Sequence, residues 1–277
     1  MEIVVLIGLI VPATFLIMLA VEKWRPARPF PARRGWTWLG IGFLLLIGFV
    51  SSVVPLLVDE HWLVAHRWVD GTALGIVGGT VAGYVVLSGL MYAWHRTLHT
   101  VPLLWRLTHQ LHHSPQRIDI PGSVFFHPTE MVAQVLLQLF VTLVVLGLDP
   151  VAAALTGYLA AFYGMFQHWN IHTPRWLGYL IQRPEAHCEH HRLGVHAFNY
   201  GDLPIWDLLL GTFNNPATFE GLCGFESPAD RRVGAMLAFA DVNEPLYRSP
   251  AWPTRRAATT ACSSTPRSRT LCKGASC

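Results

Sequence analysis

The chain has 277 residues, of which 52% are apolar and only 13% are charged, and its formal net charge is +3. A soluble domain of average composition has about 25% charged residues, so this composition excludes an ordinary soluble enzyme, a disordered chain and a nucleic-acid-binding protein. Histidine is the other anomaly, with 14 residues. The composition therefore indicates a membrane protein that is rich in imidazole groups.

Apolar stretches along the chain predict four to five transmembrane or re-entrant helices, since about 20 apolar residues cross a bilayer. They cover residues 3–20, 38–58, 73–94, 131–148 and 151–167. The third contains Gly75, Gly78, Gly79 and Gly83, which would let a neighbouring helix approach closely. Only Asp149 and Pro150 separate the last two, so we expect a tight hairpin. Both are short, and an alternative to full crossing is that they enter the membrane and return.

The distribution of basic residues predicts the orientation. The loop after the first stretch is basic, and the positive-inside rule places it in the cytoplasm; its basic residues are Lys23, Arg25, Arg28, Arg33 and Arg34. The N-terminus and residues 59–72 are then outside, and residues 95–130 and 168–277 are inside. Only Arg67 of the 20 Lys and Arg residues falls outside. We predict a multi-pass integral membrane protein, in the inner membrane if the source is bacterial.

The apolar stretches, the histidine-rich part and the composition of the C-terminal residues divide the chain into four predicted segments. Residues 1–72 form N-terminal transmembrane helices and loops, and residues 73–215 form the histidine-rich catalytic domain. A C-terminal cytoplasmic segment covers residues 216–250. Residues 251–277 are rich in Ala, Ser, Thr, Arg and Cys without apolar periodicity, which predicts a disordered tail.

Ten of the eleven histidines between positions 95 and 191 form a repeated pattern. An H-x-x-x-H pair precedes an H-x-x-H-H triplet, and the same order returns after the hairpin; the residues are His95, His99, His109, His112, His113, His168, His172, His187, His190 and His191. Residues three or four apart share one helix face. Two such rings can bind one ion, and ten ligands are too many for a single ion. The pattern therefore predicts a dimetal site held by a helical cap on the cytoplasmic side.

The ligand type restricts the set of possible metals but does not identify one of them. Imidazole binds Zn, Cu, Fe and Ni, and no Cys or carboxylate belongs to the pattern. A site at the membrane boundary suggests lipid substrates, whose unactivated C–H bonds require a redox-active metal. This favours iron acting with O2.

The motifs themselves resemble a known group of enzymes. The chain has His95-Arg-Thr-Leu-His99, His109-Gln-Leu-His112-His113 and His187-Cys-Glu-His190-His191. Further matching segments start at Phe126, Gln167, Asn199 and Trp206. Over residues 73–215 the chain resembles the fatty acid hydroxylase / sterol desaturase superfamily of integral-membrane diiron oxygenases.

The resemblance implies roles for particular residues. The eight histidines of the three motifs would be metal ligands, with His168 and His172 as an additional pair. His127 and His196 lie outside the pattern, and for them we expect a supporting role in preference to ligation. Asn199 and Tyr200 would either close the loop at the metal site or serve in packing. No catalytic residue beyond the ligands is implied. The cofactors would be two iron ions, which zinc can replace in recombinant material, with O2 as co-substrate.

The resemblance implies a hydroxylase of a membrane lipid, whether a fatty acyl chain, a sterol or a lipid head group. The alternative within the superfamily is a lipid or sterol desaturase. A heme or quinone electron-transfer protein of the membrane is the non-enzyme alternative. Because no nucleotide or flavin motif is visible, a separate electron donor is implied, namely a ferredoxin, a cytochrome or a reductase. It would dock near Arg175, Arg183 and Arg192, unless these arginines only reflect the positive-inside rule.

Overall fold

A computed structural model describes residues 2–242 of the chain. Within these residues the protein has helices and no β-strand, and 67% of it is helical. The predicted all-α class is therefore confirmed. The disordered tail predicted for residues 251–277 lies outside the described residues, as do residues 243–250.

The helices follow the order of the apolar stretches, and several are longer than predicted. The α-helices are α1 (Glu2–Trp24), α2 (Trp36–Val53), α3 (Glu60–Ala65), α4 (Gly75–Thr100), α5 (Pro102–Leu104), α6 (Gln110–His113), α7 (Pro128–Leu139), α8 (Pro150–His168), α9 (Pro184–His190), α10 (Pro204–Leu210) and α11 (Val233–Leu237). Two π-helical turns, Trp105–His109 and Phe140–Val145, continue α5 and α7. Short 3₁₀ helices include Val54–Leu57, Gly71–Leu74, Ile120–Val124 and Arg175–Tyr179.

Among residues 2–242, four helical stretches are long and apolar enough to cross a membrane. They are Ile3–Trp24, Trp36–Leu57, Gly71–Thr100 and Pro128–Val145. The first three have mean hydropathies of 2.9, 2.3 and 1.8, and the fourth, at 1.6, is the least apolar. These stretches support the predicted membrane location, whereas the side on which each loop lies stays a prediction.

The predicted hairpin joins α7 to α8. The π-helical turn Phe140–Val145 ends α7, and α8 begins at Pro150. The Asp149 carboxylate accepts a hydrogen bond of 2.8 Å from the Val151 amide, which caps the first turn of α8. Pro150 follows at the first helical position, where its missing N–H costs no hydrogen bond.

Two glycines bring α4 and α8 into close contact. A Cβ added at Gly79 would lie 3.0 Å from the Ala152 Cβ, and one at Gly83 would lie 2.4 Å from the Thr156 Oγ1. Gly78 has more room, since an added Cβ would be 3.4 Å from its nearest neighbour. Of the four glycines predicted to permit helix contact, Gly79 and Gly83 therefore do so against α8.

The first two helices pack directly against the histidine-rich part of the chain. The Glu22 carboxylate at the end of α1 accepts hydrogen bonds from the Ile120 and Asn170 amides, at 2.9 and 3.1 Å. The Trp36 indole at the start of α2 donates to Asp119 at 2.9 Å. These buried contacts fix the loops that precede α7 and follow α8. The predicted segment boundary at residues 72 and 73 stays a prediction.

Candidate metal centre

Nine of the ten predicted ligands gather into two groups. One nitrogen from each ring of a group lies within 4.8 Å of those of all the other rings in that group. Group one contains His95, His99, His109, His113 and His190; group two contains His112, His168, His187 and His191. All are buried except His95, which is partly buried.

The two H-x-x-H-H triplets are shared between the groups in a reciprocal way. His109 and His113 of the first triplet belong to group one, while His112 between them belongs to group two. The second triplet reverses this, because its outer residues belong to group two and its His190 belongs to group one. The His113 and His191 rings are stacked with centroids 3.9 Å apart, which joins the two groups. Each triplet thus supplies both groups.

Helix geometry presents the remaining rings. His95 and His99 lie one turn apart near the end of α4, as the H-x-x-x-H spacing predicts. His168 is the last residue of α8. His109 ends the π-helical turn Trp105–His109, and α6 follows immediately. π-Helical turns often occur at functional sites, where they redirect side chains.

Backbone carbonyls fix the protonation of three rings. The Nδ1 atoms of His95, His168 and His190 lie 2.8, 2.8 and 2.6 Å from the carbonyl oxygens of Tyr200, Gly164 and Phe198. A carbonyl oxygen only accepts, so Nδ1 must carry the proton in each ring. The Nε2 atom of each neutral ring is then left with a lone pair directed into its group.

These Nε2 atoms face other Nε2 atoms. His95 Nε2 lies 3.3 Å from that of His99, His190 Nε2 lies 3.1 Å from that of His113, and His168 Nε2 lies 3.2 Å from those of His112 and His187. Two nitrogens that bind one ion at about 2.0–2.1 Å are separated by roughly 2.9–3.3 Å at octahedral or tetrahedral angles. Both groups therefore fit a metal cation, which would stabilise the facing lone pairs.

A buried carboxylate lies behind group one. Glu130 Oε1 is 2.8 Å from His109 Nδ1, and both side chains are at most 3% exposed. The second oxygen, Oε2, is buried with no hydrogen-bond partner among the described residues. A carboxylate that accepts from the outer nitrogen of a ligating imidazole fixes its orientation and raises its basicity. Glu130 lies in the matching segment that starts at Phe126, but the sequence pattern predicts no role for it.

Burial keeps several of the candidate ligand imidazoles neutral. Desolvation lowers the pKa of His112, His113 and His187 well below 6.5, and neighbouring imidazoles lower it further. Desolvation is also the largest cause of the lowered pKa of His190 and His191. A neutral imidazole is the form that binds a metal, so the environment favours the ligating state.

The loop after α9 supplies the carbonyls that orient His95 and His190. His196, Phe198 and Asn199 have positive φ values of 43°, 68° and 50°, a conformation that costs energy outside glycine. The Asn199 side chain holds the loop by donating to the Ala186 and Asn214 carbonyls, at 2.9 and 2.7 Å. Tyr200 contributes its carbonyl oxygen, which lies 2.8 Å from His95 Nδ1.

The other two predicted supporting residues lie in different surroundings. His196 Nδ1 is 3.0 Å from His113 Nδ1, so His196 contacts the outer nitrogen of a group-one ring. Burial lowers the pKa of His196 to about 3, which keeps this contact between neutral rings. His127 instead caps α7, where its ring accepts from the Thr129 amide at 3.2 Å. Its hydrogen bonds are to Thr129 and to the Leu237 carbonyl, and neither is a candidate ligand.

His172 belongs to neither group. Its pairing with His168 assumed that both residues share one helix face, but α8 ends at His168. The chain is extended at Trp169, and His172 is exposed. The four-residue spacing therefore does not place His168 and His172 on one helix face. We remove His172 from the candidate ligands.

Comparisons with known proteins agree with this geometry. Residues 80–212 match the sequence profile of the family described as fatty acid hydroxylase. The ornithine lipid hydroxylase OlsE of Rhizobium tropici is 33% identical over 171 residues, which make up 60% of this chain and 50% of that protein. The chain thus spans about half the length of this curated relative. No solved structure matches the chain.

Proposed function

We propose that the chain, whose residues 80–212 match the fatty acid hydroxylase family, is an iron- and O2-dependent hydroxylase of a membrane lipid. The observation that carries the proposal is the pair of imidazole groups whose Nε2 atoms converge. The family match and the similarity to a lipid hydroxylase support the general assignment as a lipid hydroxylase. Iron, the diiron site and the lipid are parts of our proposal.

The chain's own residues would hold, orient and shield the metal site. Two bound iron ions would supply the oxidising power needed to break an unactivated C–H bond. The carbonyls of Phe198 and Tyr200 and the Glu130 carboxylate orient three ligands in group one. Burial of the rings excludes bulk water. This exclusion protects an oxidising site from side reactions.

The position of α4 supports a lipid as the substrate. His95 and His99 lie within five residues of Thr100, where the candidate span Gly71–Thr100 ends. Five residues of helix correspond to about 7.5 Å. A lipid could therefore reach the site while it remains largely in the bilayer. Fatty acyl chains, sterols and lipid head groups remain candidates, and the name of the relative favours an amino-acid-containing lipid.

The proposed reaction requires electrons from another protein. One oxygen atom of O2 enters the C–H bond and the other leaves as water, which consumes two electrons and two protons. We propose a separate ferredoxin, cytochrome or reductase as donor. Of the arginines expected at its docking site, Arg183 cannot contribute directly, because its side chain is 0% exposed and ion-paired with Glu185. Arg192 is 32% exposed and paired with Glu189, and Arg175 is exposed.

The alternative within the superfamily is desaturation, in which a second hydrogen is removed instead of a hydroxyl being added. Both outcomes use the same ligands, so the histidine geometry does not favour either. The electron-transfer alternative needs two histidines on opposite faces of a heme. Here five and four rings converge on common points, an arrangement that a planar heme would not fit. Absence of a Soret band in the purified protein would support the enzyme.

The proposal is tested by incubating the purified full-length protein with ¹⁸O2, a reductase system and a total lipid extract. We expect a lipid product that retains one labelled oxygen atom, identified by mass spectrometry. A product two hydrogens lighter without label would mean desaturation. If no lipid stimulates oxygen consumption, the enzyme interpretation is wrong. His172→Ala is the matched active control, because His172 lies outside both groups.

A further inference from the structure

A groove of about 660 Å³ lies between the C-terminal half of α4 and the short helix α10. Small-molecule sites in proteins typically have volumes of about 300–1,000 Å³. Trp206 of α10 lines the groove and is anchored by a 2.9 Å hydrogen bond from its indole to Ser88 Oγ. Gly89 permits this contact, since an added Cβ would lie 2.9 Å from the indole ring. The metal ligands do not line the groove.

The groove changes from apolar to polar along α4. Val86 and Leu90 line its inner part, and Arg96, Thr97 and Thr100 line the part nearest the end of the candidate span Gly71–Thr100. From Val86 to Arg96 the helix rises about 15 Å. Among the described residues that line the groove, Arg96 alone is charged. This order matches a lipid whose chain points into the bilayer and whose charged group lies near the surface.

Helix α10 forms an apolar wall that faces outward. Its Pro204, Trp206 and Asp207 are buried or half-buried, whereas four large apolar side chains are 46–68% exposed; these are Ile205, Leu208, Leu209 and Leu210. Lipid would cover these four apolar side chains more favourably than water would, because contact between apolar surface and water is unfavourable. The groove beneath α10 would then open to lipid rather than to water.

We propose that this groove binds one membrane phospholipid, with an acyl chain beside Leu90 and Ala93 and the phosphodiester at Arg96. A guanidinium matches phosphate oxygens in charge and geometry, and the apolar half offers nothing polar to a water-soluble anion. This lipid is distinct from a substrate, because the groove is lined by the face of α4 that carries Gly89, Ala93 and Thr100, whereas His95 and His99 belong to group one. The proposal does not depend on the proposed hydroxylation.

Hydrogen bonds connect the groove wall to a candidate ligand. Tyr92 OH lies 3.0 Å from Thr212 Oγ1, and Thr212 donates to Asp207 at 2.6 Å. Asp207 in turn accepts from the Tyr200 amide at 2.9 Å, and the Tyr200 carbonyl accepts from His95 Nδ1. A lipid that binds the folded groove does not bind the unfolded chain. Its binding should raise the thermal stability of the protein.

The experiment is native mass spectrometry of the purified full-length protein in detergent with added 1-palmitoyl-2-oleoyl-phosphatidylglycerol, compared with the matching diacylglycerol. Ala93 is exposed and lines the groove, so Ala93→Trp fills it without disturbing the core. Val81→Trp is the matched control, because Val81 is 58% exposed on the same helix and does not line the groove. We expect the wild type and Val81→Trp to retain one phospholipid and Ala93→Trp to lose it.

The charged end is tested separately with Arg96→Gln and, as control, Arg34→Gln, which changes an exposed arginine before α2. Arg96→Gln should abolish the preference for phosphatidylglycerol over diacylglycerol and the rise in melting temperature that it causes. Equal phospholipid retention by Ala93→Trp and Val81→Trp would overturn the proposal. An unchanged preference in Arg96→Gln, or equal binding of diacylglycerol by the wild type, would also overturn it. None of these readouts requires metal or turnover, so they are independent of the hydroxylation test.

Discussion

In each imidazole, the hydrogen-bond partner of one ring nitrogen determines which nitrogen faces a metal. His95, His168 and His190 each donate to a backbone carbonyl, while His109 contacts the Glu130 carboxylate. For His187 and His191, Nδ1 is buried without a partner among the described residues. Group one therefore has more of its rings oriented by direct contacts than group two.

Glu130→Gln should weaken metal binding while it preserves the shape of the side chain. Loss of the carboxylate removes a charge that orients His109 and raises its basicity, and such changes typically cost about 10–100-fold in affinity. The measurement is the chelator concentration that removes half of the metal. Glu189→Gln is the control, because the Glu189 carboxylate binds Arg192. Equal chelator resistance in the two variants would contradict this role of Glu130.

Single histidine substitutions should have graded effects on activity. His187→Ala removes a group-two imidazole and should abolish turnover, as should substitution of His112, His113, His190 or His191. His196→Ala should be milder, because His196 contacts only the outer nitrogen of His113. His172→Ala should leave activity unchanged, because this side chain is exposed. Steady-state assays with the lipid substrate measure the series, and a loss of activity in His172→Ala would contradict the assignment.

Sequence spacing predicts ligands only where the backbone is helical. It correctly brings His95 together with His99 on α4, and it fails for His172 because α8 ends at His168. Glu130 shows a different limit. It follows His109 by 21 residues, so only the fold brings the two side chains together. No periodicity in the sequence could have identified this contact.

At the scale of helices, the length of an apolar stretch predicts the presence of a helix better than it predicts where that helix begins and ends. The stretch 73–94 becomes α4, which continues to Thr100 and thereby contains both histidines of the first motif. The stretch 131–148 becomes α7 followed by a π-helical turn that ends at Val145. The π-helical turns depend on the packing of neighbouring segments, which a helical period of 3.6 residues does not encode.

Two alanine substitutions in α4 should have opposite effects on stability. Gly83→Ala places a methyl group against Thr156 and Leu148 and should destabilise the α4–α8 contact by about 1–3 kcal/mol. Gly78→Ala has more room, and it should be neutral or stabilise by up to about 1 kcal/mol through helix propensity. Melting temperatures in detergent provide the comparison. A Gly83→Ala protein as stable as Gly78→Ala would show that the glycine contact is unimportant.

For the whole molecule, membrane orientation stays a prediction that reporter fusions can test. Fusions after Arg34 and after His191 should both report the cytoplasm, and one after Asp70 should report the outside. The physical reason is the one-sided distribution of Lys and Arg, of which Arg67 alone lies on the predicted outer side. A periplasmic signal from the fusion after His191 would falsify this threading.

The central claim is that the two imidazole groups bind two ions per chain, and the most direct test is the metal content of the purified full-length protein. The protein should contain close to two ions per chain, and these should be iron when iron is sufficient during expression. His95→Ala and His168→Ala each remove a ligand from only one group, so each should reduce the content towards one ion. A wild-type content of one ion or none, unchanged by either substitution, would contradict the account.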